Sequence, residues 1–131
     1  MTDACAECGA PTLAFAVPAD LREFVPDGPE HAAICTNCLT LNEASDAPAD
    51  PDFSHVSGAM PDGEAAVPMA LALGLLDSLA LNRRGIEALL GRVETAGADP
   101  LLVIDRLATQ GSVQAKADLE RRRHQLEQLL E

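Results

Sequence analysis

Tryptophan and tyrosine are absent from this chain of 131 residues, and phenylalanine occurs only three times. Lysine occurs once, as Lys116, beside eight arginines. So few aromatic and positive side chains leave little from which to build a basic, base-stacking platform for nucleic acid. Long apolar runs are missing as well. The longest, Ala65–Leu76, spans 12 residues, whereas a bilayer needs about 20. No basic-then-apolar segment opens the sequence. The expectation is a soluble, cytoplasmic protein without a membrane partner.

Catalytic motifs are also lacking. There is no G-x-x-x-x-G-K loop, no G-x-G-x-x-G, no H-E-x-x-H and no G-x-S-x-G. The three histidines, His31, His55 and His124, fall in three different parts of the chain. No catalytic or cofactor-binding residue is assigned, and the protein is expected not to be an enzyme.

What is plentiful is negative charge. Asp and Glu total 21 against nine basic residues, a formal net charge of -12, with a pI of about 4.4. An acidic surface poor in lysine stays hydrated in concentrated salt, where repulsion is screened within about 3 Å at 1 M. The composition therefore reads as that of a halophile's cytosolic protein, with an acidic mesophilic protein as the plainer alternative. The charge also divides the chain. Residues 1–42 hold six acids and one base, residues 43–63 five acids and no base, and residues 64–131 ten acids and eight bases.

The four cysteines form two C-x2-C pairs, Cys5-Ala-Glu-Cys8 and Cys35-Thr-Asn-Cys38. In a reducing compartment this pattern points to one tetrahedral metal site rather than to disulfides. Zinc is the expected ion. Its ligands would be the thiolates of Cys5, Cys8, Cys35 and Cys38, and with no open position the site would be structural. Iron in a rubredoxin-like site uses the same donors and stays open as an alternative. A thiol-redox pair would want a helix N-terminus in a βαβ context, which is missing. His31, four residues before Cys35, is a conceivable substitute ligand and more simply a loop residue.

Around these cysteines, residues 1–42 read as a zinc ribbon. Gly9 follows Cys8, where a knuckle favours positive φ. Leu13, Phe15 and Val17 alternate as in a half-buried strand. Asp20-Leu-Arg-Glu23 resembles a helix start that Pro26 stops, and Pro26-Asp-Gly-Pro29 is a turn. Ala32–Ile34 and Leu39–Leu41 are expected as further strands. So few apolar residues make a core only with help, and a bound metal supplies about 10 kcal/mol or more in such domains.

Residues 43–63 read as an acidic Pro/Asp-rich linker, extended and solvated. Phe53 interrupts it, as either a docking residue or a recognition motif for another protein. His55 is assigned nothing. Residues 64–131 read as a bundle of three or four helices. The first opens at Glu64 and runs to about Leu81, apolar nearly all round, with Ala66, Ala70, Gly74 and Ser78 as a row of small side chains for close packing. Asn82-Arg-Arg-Gly85 is a plausible break, although one continuous helix through Gly85 stays open. The second helix, Ile86–Ala96, buries Ile86, Leu89, Leu90 and Val93 before Gly97. Asp99-Pro100 is an N-cap followed by Pro at the first helical position. It opens a third helix over Leu101–Thr109 that is buried through Leu102, Val103 and Leu107 and ends at Gly111. Ser112 begins the last helix, with Leu119, Leu126, Leu129 and Leu130 on its apolar face.

Arg121-Arg-Arg123 is the one basic run. It either contacts nucleic-acid phosphate or forms a solvated helix face held by Asp118–Arg122 and Arg123–Glu127 pairs at i, i+4. The solvated face is the plainer reading, and the expected partner is another protein, its identity and the oligomeric state left open.

Taken together, Cys5-Ala-Glu-Cys8-Gly-Ala-Pro11, Asp20-Leu-Arg-Glu-Phe-Val-Pro-Asp27, the stretch Ala65–Ser78 and Asp99-Pro-Leu-Leu-Val-Ile-Asp-Arg106 resemble a family of short haloarchaeal proteins of unknown function. The resemblance covers nearly the whole chain. It implies a haloarchaeal source and a zinc site at the four cysteines, and it carries over no catalytic residue. The second knuckle lacks the glycine that follows the first, a departure that weighs more against a rubredoxin analogy than against zinc. The fold class expected is α+β, a four-cysteine ribbon plus a helical bundle.

Overall fold

The structure, a computed structural model, describes residues 4–109, 115 and 118–129. Three strands, β1 (Thr12–Ala16), β2 (His31–Cys35) and β3 (Leu41–Glu43), form an antiparallel sheet in the order β1-β2-β3. Among the described residues four α-helices follow: α1 (Ala66–Leu75), α2 (Arg83–Thr95), α3 (Pro100–Thr109) and α4 (Leu119–Leu129). The protein is α+β. No helix among the described residues is long and apolar enough to cross a membrane.

The alternation in β1 does what its period dictates. Leu13 pairs with Ile34 and Phe15 with Ala32, and all four are buried. The third strand begins two residues later than the sequence suggests. Leu39 cannot open it, because it sits at φ 64° in the left-handed region. The acidic stretch after Pro18 is a 3-10 helix, Ala19–Phe24. Its last carbonyl lies so close to α2 that a Cβ on Gly85 would stand 2.6 Å from the Phe24 oxygen.

Residues 45, 46 and 48–50 are exposed. The chain then turns inward. The Asp52 carboxylate accepts from the Ser54 N–H at 3.0 Å and starts a short 3-10 turn. The Phe53 ring is thereby placed 5.5 Å from Phe15, tilted by 52°. Phe53 docks internally, and Val56 and Ala59 are buried with it.

The first helix is shorter than its apolar run. It leaves α geometry after Leu75 for a 3-10 turn over Leu76–Ser78. The break lies before Arg83, so Arg83, Arg84 and Gly85 form the first turn of α2 rather than a linker. The two helices are thus separate. The small row on α1 admits a side chain instead of a backbone: a Cβ on Gly74 would lie 2.1 Å from Leu41 Cγ. The end of α2 is a Schellman closure, with Gly97 at φ 95°, Gly97 N–H on the Glu94 carbonyl and Ala98 N–H on that of Val93.

Asp99 caps α3 as its sequence predicts, accepting from Leu101 N–H at 3.1 Å and Leu102 N–H at 3.2 Å. The buried face of α3 is Val103, Ile104 and Leu107, whereas Leu102 is 44% exposed. Positions 100, 103, 104 and 107 share one side of a 3.6-residue period, and 102 falls off it. On α4, Leu119 and Leu126 are buried and Leu129 half-buried. Gly111, Ser112, Lys116 and Leu130 lie outside the described residues.

The buried apolar side chains form one large cluster. Leu13, Phe15 and Ile34 of the sheet, Phe53 and Val56, and Met69, Leu71, Ile86, Leu90, Leu107 and Leu126 of the helices all belong to it. Helix α1, buried along nearly its whole length, lies at its centre. Cys5, Cys35 and Cys38 form a second, smaller cluster with Ala10.

Candidate metal centre

Two backbone knuckles build the site in the same way. Cys5 N–H bonds the Ala10 carbonyl at 2.8 Å, and Cys35 N–H bonds the Thr40 carbonyl at 3.0 Å. Each bond closes a loop five residues ahead of its first cysteine. Within the loops the Glu7 N–H points at the Cys5 sulfur, and the N–H groups of Asn37 and Cys38 point at the Cys35 sulfur, all at 3.3 Å. The residue after each second cysteine is left-handed, Gly9 at φ 79° and Leu39 at φ 64°. The second knuckle therefore keeps the geometry of the first without its glycine. Leu39 holds that strained conformation (about 1–2 kcal/mol for a residue with a Cβ) while being buried itself.

The knuckles face each other. Cys5 Sγ lies 3.6 Å from Cys38 Sγ, and Cys8 Sγ lies 3.4 Å from Cys35 Sγ. All four sulfurs fall within 4.8 Å of one another. Zn–S bonds of about 2.3 Å at tetrahedral angles put sulfurs about 3.8 Å apart. The four free thiols thus have the donor chemistry and spacing of a tetrahedral four-thiolate site. The cluster is compatible with metal binding.

Side chains that the spacing argument did not single out complete the shell. The Thr40 hydroxyl lies 3.5 Å from the Cys5 sulfur and 3.1 Å from that of Cys38. Asn42 Nδ2 donates to Cys5 Sγ at 3.5 Å while its Oδ1 accepts from Ala6 N–H at 3.0 Å. Asn37 Nδ2 reaches Cys8 Sγ at 3.8 Å. Polar residues inside and just after the second knuckle were the signal for them.

The thiols titrate unequally. Burial pushes the Cys5 thiol up, but hydrogen bonds from Thr40, the Cys8 N–H, Asn42 and Glu7 together outweigh it. They bring Cys5 from 9.0 to about 5. The Ala10 N–H, followed by the Cys35 side chain, brings Cys8 below its ordinary value. Burial pushes Cys35 up to about 12, against the opposing N–H groups of Cys38 and Asn37. A dication bound among these sulfurs overrides such differences, because coordination deprotonates a thiol outright.

His31 does not join the sulfurs. It opens β2 rather than lying in a loop. It lines a cleft of about 380 Å³ between the knuckles, the Pro26–Pro29 turn and the end of α1. Leu41, Leu75 and Gly74 lie in that cleft, and Glu7, Asp27, Glu43 and Asp77 supply carboxylates. His55, assigned nothing from the sequence, has a carboxylate nearby, with Asp52 Oδ2 3.8 Å from its Nε2.

Two arginines of the run are engaged within the chain. Arg123 pairs with Asp105 at 2.6 Å and Glu127 at 2.9 Å, tying α4 to α3. Arg122 donates to Gln125 Oε1 at 2.9 Å and to the Asp77 carbonyl at 3.4 Å. The expected Asp118–Arg122 side-chain pair gives way to capping: Asp118 Oδ1 accepts from Arg121 N–H at 3.2 Å.

Comparison with curated proteins and with solved structures finds no match. A family model matches residues 4–130, nearly the whole chain, a span that includes all four cysteines and the helices: this protein belongs to the Family of unknown function (DUF6276).

Proposed function

We propose that Cys5, Cys8, Cys35 and Cys38 hold one structural zinc ion as four thiolates, and that the protein is a non-catalytic, cytoplasmic interaction module built on that site. The observation that carries the reading is the convergence of four sulfurs within 4.8 Å from two matching knuckles. Four thiolates fill a tetrahedral shell, so no position is left for substrate or water.

The partner is a protein that meets the cleft beside the knuckles. Its acids, Glu7, Asp27, Glu43 and Asp77, favour a basic segment. The adjoining groove shares Val25, Pro26 and Asn82 with the cleft and carries Leu81, which is 88% exposed. A single exposed leucine is ordinary on a protein surface, and here it is the apolar side chain that a partner in the cleft would cover. Two of the three arginines in the Arg121–Arg123 run already pair within the chain, which weighs against a nucleic-acid role. The single lysine and the net charge of -12 support a protein that works in concentrated salt.

The test is capture from a source lysate at high salt on the immobilised full chain, with Leu81→Asp and chelator-treated protein alongside. The reading expects one set of captured proteins, lost in both controls. Capture that ignores both, or metal-dependent turnover of a substrate, contradicts it. Iron in place of zinc, seen as a coloured, redox-active protein, would move the reading to electron transfer. The left-handed residue after each second cysteine keeps that alternative alive.

A further inference from the structure

The four thiols are not equivalent. Cys35, Cys5 and Cys38 are 0%, 4% and 7% exposed, whereas Cys8 is exposed. Their hydrogen-bond partners differ as well. The Cys5 sulfur has Glu7 N–H, Asn42 Nδ2 and the Thr40 hydroxyl around it. Cys35 accepts from two backbone N–H groups, and Cys38 has the Thr40 hydroxyl at 3.1 Å. Cys8 has the Ala10 N–H and an exposed, 3.8 Å contact from Asn37 Nδ2. Hydrogen bonds to a sulfur draw off charge, and burial keeps reagents away. Cys38 has no more donors than Cys8, so it is the lack of burial that sets Cys8 apart. Its nearest thiol belongs to the opposite knuckle: Cys35 Sγ, 3.4 Å away.

From this juxtaposition we propose that Cys8 is an oxidation site for small hydroperoxides, with Cys35 as its resolving partner, so that oxidation releases the metal and joins the two knuckles. The inference rests on the zinc reading above. In the first step the Cys8 sulfur attacks one peroxide oxygen. An S–O bond forms and the O–O bond breaks. The departing alkoxide or hydroxide takes a proton from water, the sulfur is oxidised by two electrons and the peroxide is reduced. In the second step the Cys35 thiolate attacks the sulfenic sulfur. An S–S bond forms, the S–O bond breaks, and hydroxide leaves and is protonated to water. One hydroperoxide thus yields one disulfide. Two of the four donors are then lost, and the pair left behind does not hold the metal.

The link is across the knuckles rather than within one, so the oxidised chain keeps β1 beside β2. In the chain with free thiols their ladder pairs Thr12 with Cys35 and Thr36 N–H bonds the Pro11 carbonyl at 3.0 Å, and a link between the knuckles breaks neither. The oxidised state is therefore folded, metal-free and, after a thiol reductant and fresh zinc, reversible.

The test uses the full chain after its zinc content has been measured. Brief alkylation with iodoacetamide, read by peptide mass spectrometry, ranks the thiols. A second sample receives hydrogen peroxide while a chromogenic chelator follows released zinc, and its disulfides are then mapped. Cleavage after Glu7 separates Cys5 from Cys8. Expected are alkylation of Cys8 at least about tenfold faster than the other three, one zinc released per disulfide, and Cys8–Cys35 as the first disulfide. Cys8→His keeps a zinc donor that cannot form an S–O bond, and it should slow peroxide-driven release about tenfold. If that variant fails to hold zinc, the rates and the disulfide map of the unaltered chain still decide. Equal alkylation rates, a first disulfide at Cys5–Cys8 or Cys5–Cys38, or zinc retained after Cys8 and Cys35 have joined overturns the proposal and leaves the metal reading intact. A chain that carries and accepts no metal before peroxide is added overturns both.

Discussion

At the scale of single residues, the two knuckles differ most at the position after each second cysteine. Gly9 takes its left-handed φ freely, and a Cβ there would meet no atom within 4 Å. Gly9→Ala should therefore destabilise the protein by backbone strain alone, about 1–2 kcal/mol, with no change in metal stoichiometry. A shift in the urea midpoint checks the first part and metal analysis the second. Leu39 bears the same strain and is 2% exposed. Sequence reading missed this, because a leucine between two knuckle residues and a threonine looks like the start of a strand. Burial of its side chain, together with the turn closed by the Cys35 N–H on the Thr40 carbonyl, overrides the local preference.

At the scale of elements, two glycines of α2 make opposite demands. Gly91 is exposed in mid-helix with nothing near its missing Cβ. Gly91→Ala should stabilise by up to about 1 kcal/mol through helix propensity. Gly85→Ala gains the same propensity but drives a methyl to 2.6 Å from the Phe24 carbonyl oxygen. It should come out destabilised by about 1–3 kcal/mol, and thermal melts of the two variants should move in opposite directions. The 3-10 helix after Pro18 is tied to α2 a second time, through Asp20 and Arg92. The hydrogen bond from Arg92 holds the Asp20 carboxyl below its ordinary 3.8. A depressed carboxylate pKa favours the fold above the unfolded value, and that contribution disappears as pH falls through the folded value. Melting temperature measured between about pH 2 and pH 6 should fall less steeply for Asp20→Asn than for the unaltered chain. An identical slope would show that the pair contributes nothing. Periodicity found β1, the face of α2 and, at Leu119 and Leu126, the face of α4. It misplaced the break between α1 and α2 because Arg83-Arg84-Gly85 looks like a turn, and what places Gly85 inside the helix is a tertiary contact that no local pattern records.

At the scale of the molecule, the sheet and the helices complete one another. The ribbon has too few apolar residues for a core of its own, and the structure supplies the rest from α1, α2 and Phe53. The C-x2-C spacing made the cysteine cluster legible, because each pair sits on one tight knuckle. Its hydrogen-bonding side chains and the cleft were not legible, since they depend on how β3 and α1 are brought together. With one shared cluster, unfolding should be cooperative. Helix loss seen by circular dichroism and metal release seen with a chromogenic chelator should share one midpoint. Two separated transitions would mean that the ribbon and the helices fold independently. Phe53→Ala removes the ring tilted against Phe15 and should lower that midpoint, costing about 3–5 kcal/mol. The most direct test of the account is the metal content of the full chain purified at high salt, with Cys5→Ala measured beside it. The account predicts one zinc per chain, lost or much weakened in the variant. A chain with no bound metal and four freely titratable thiols would contradict it.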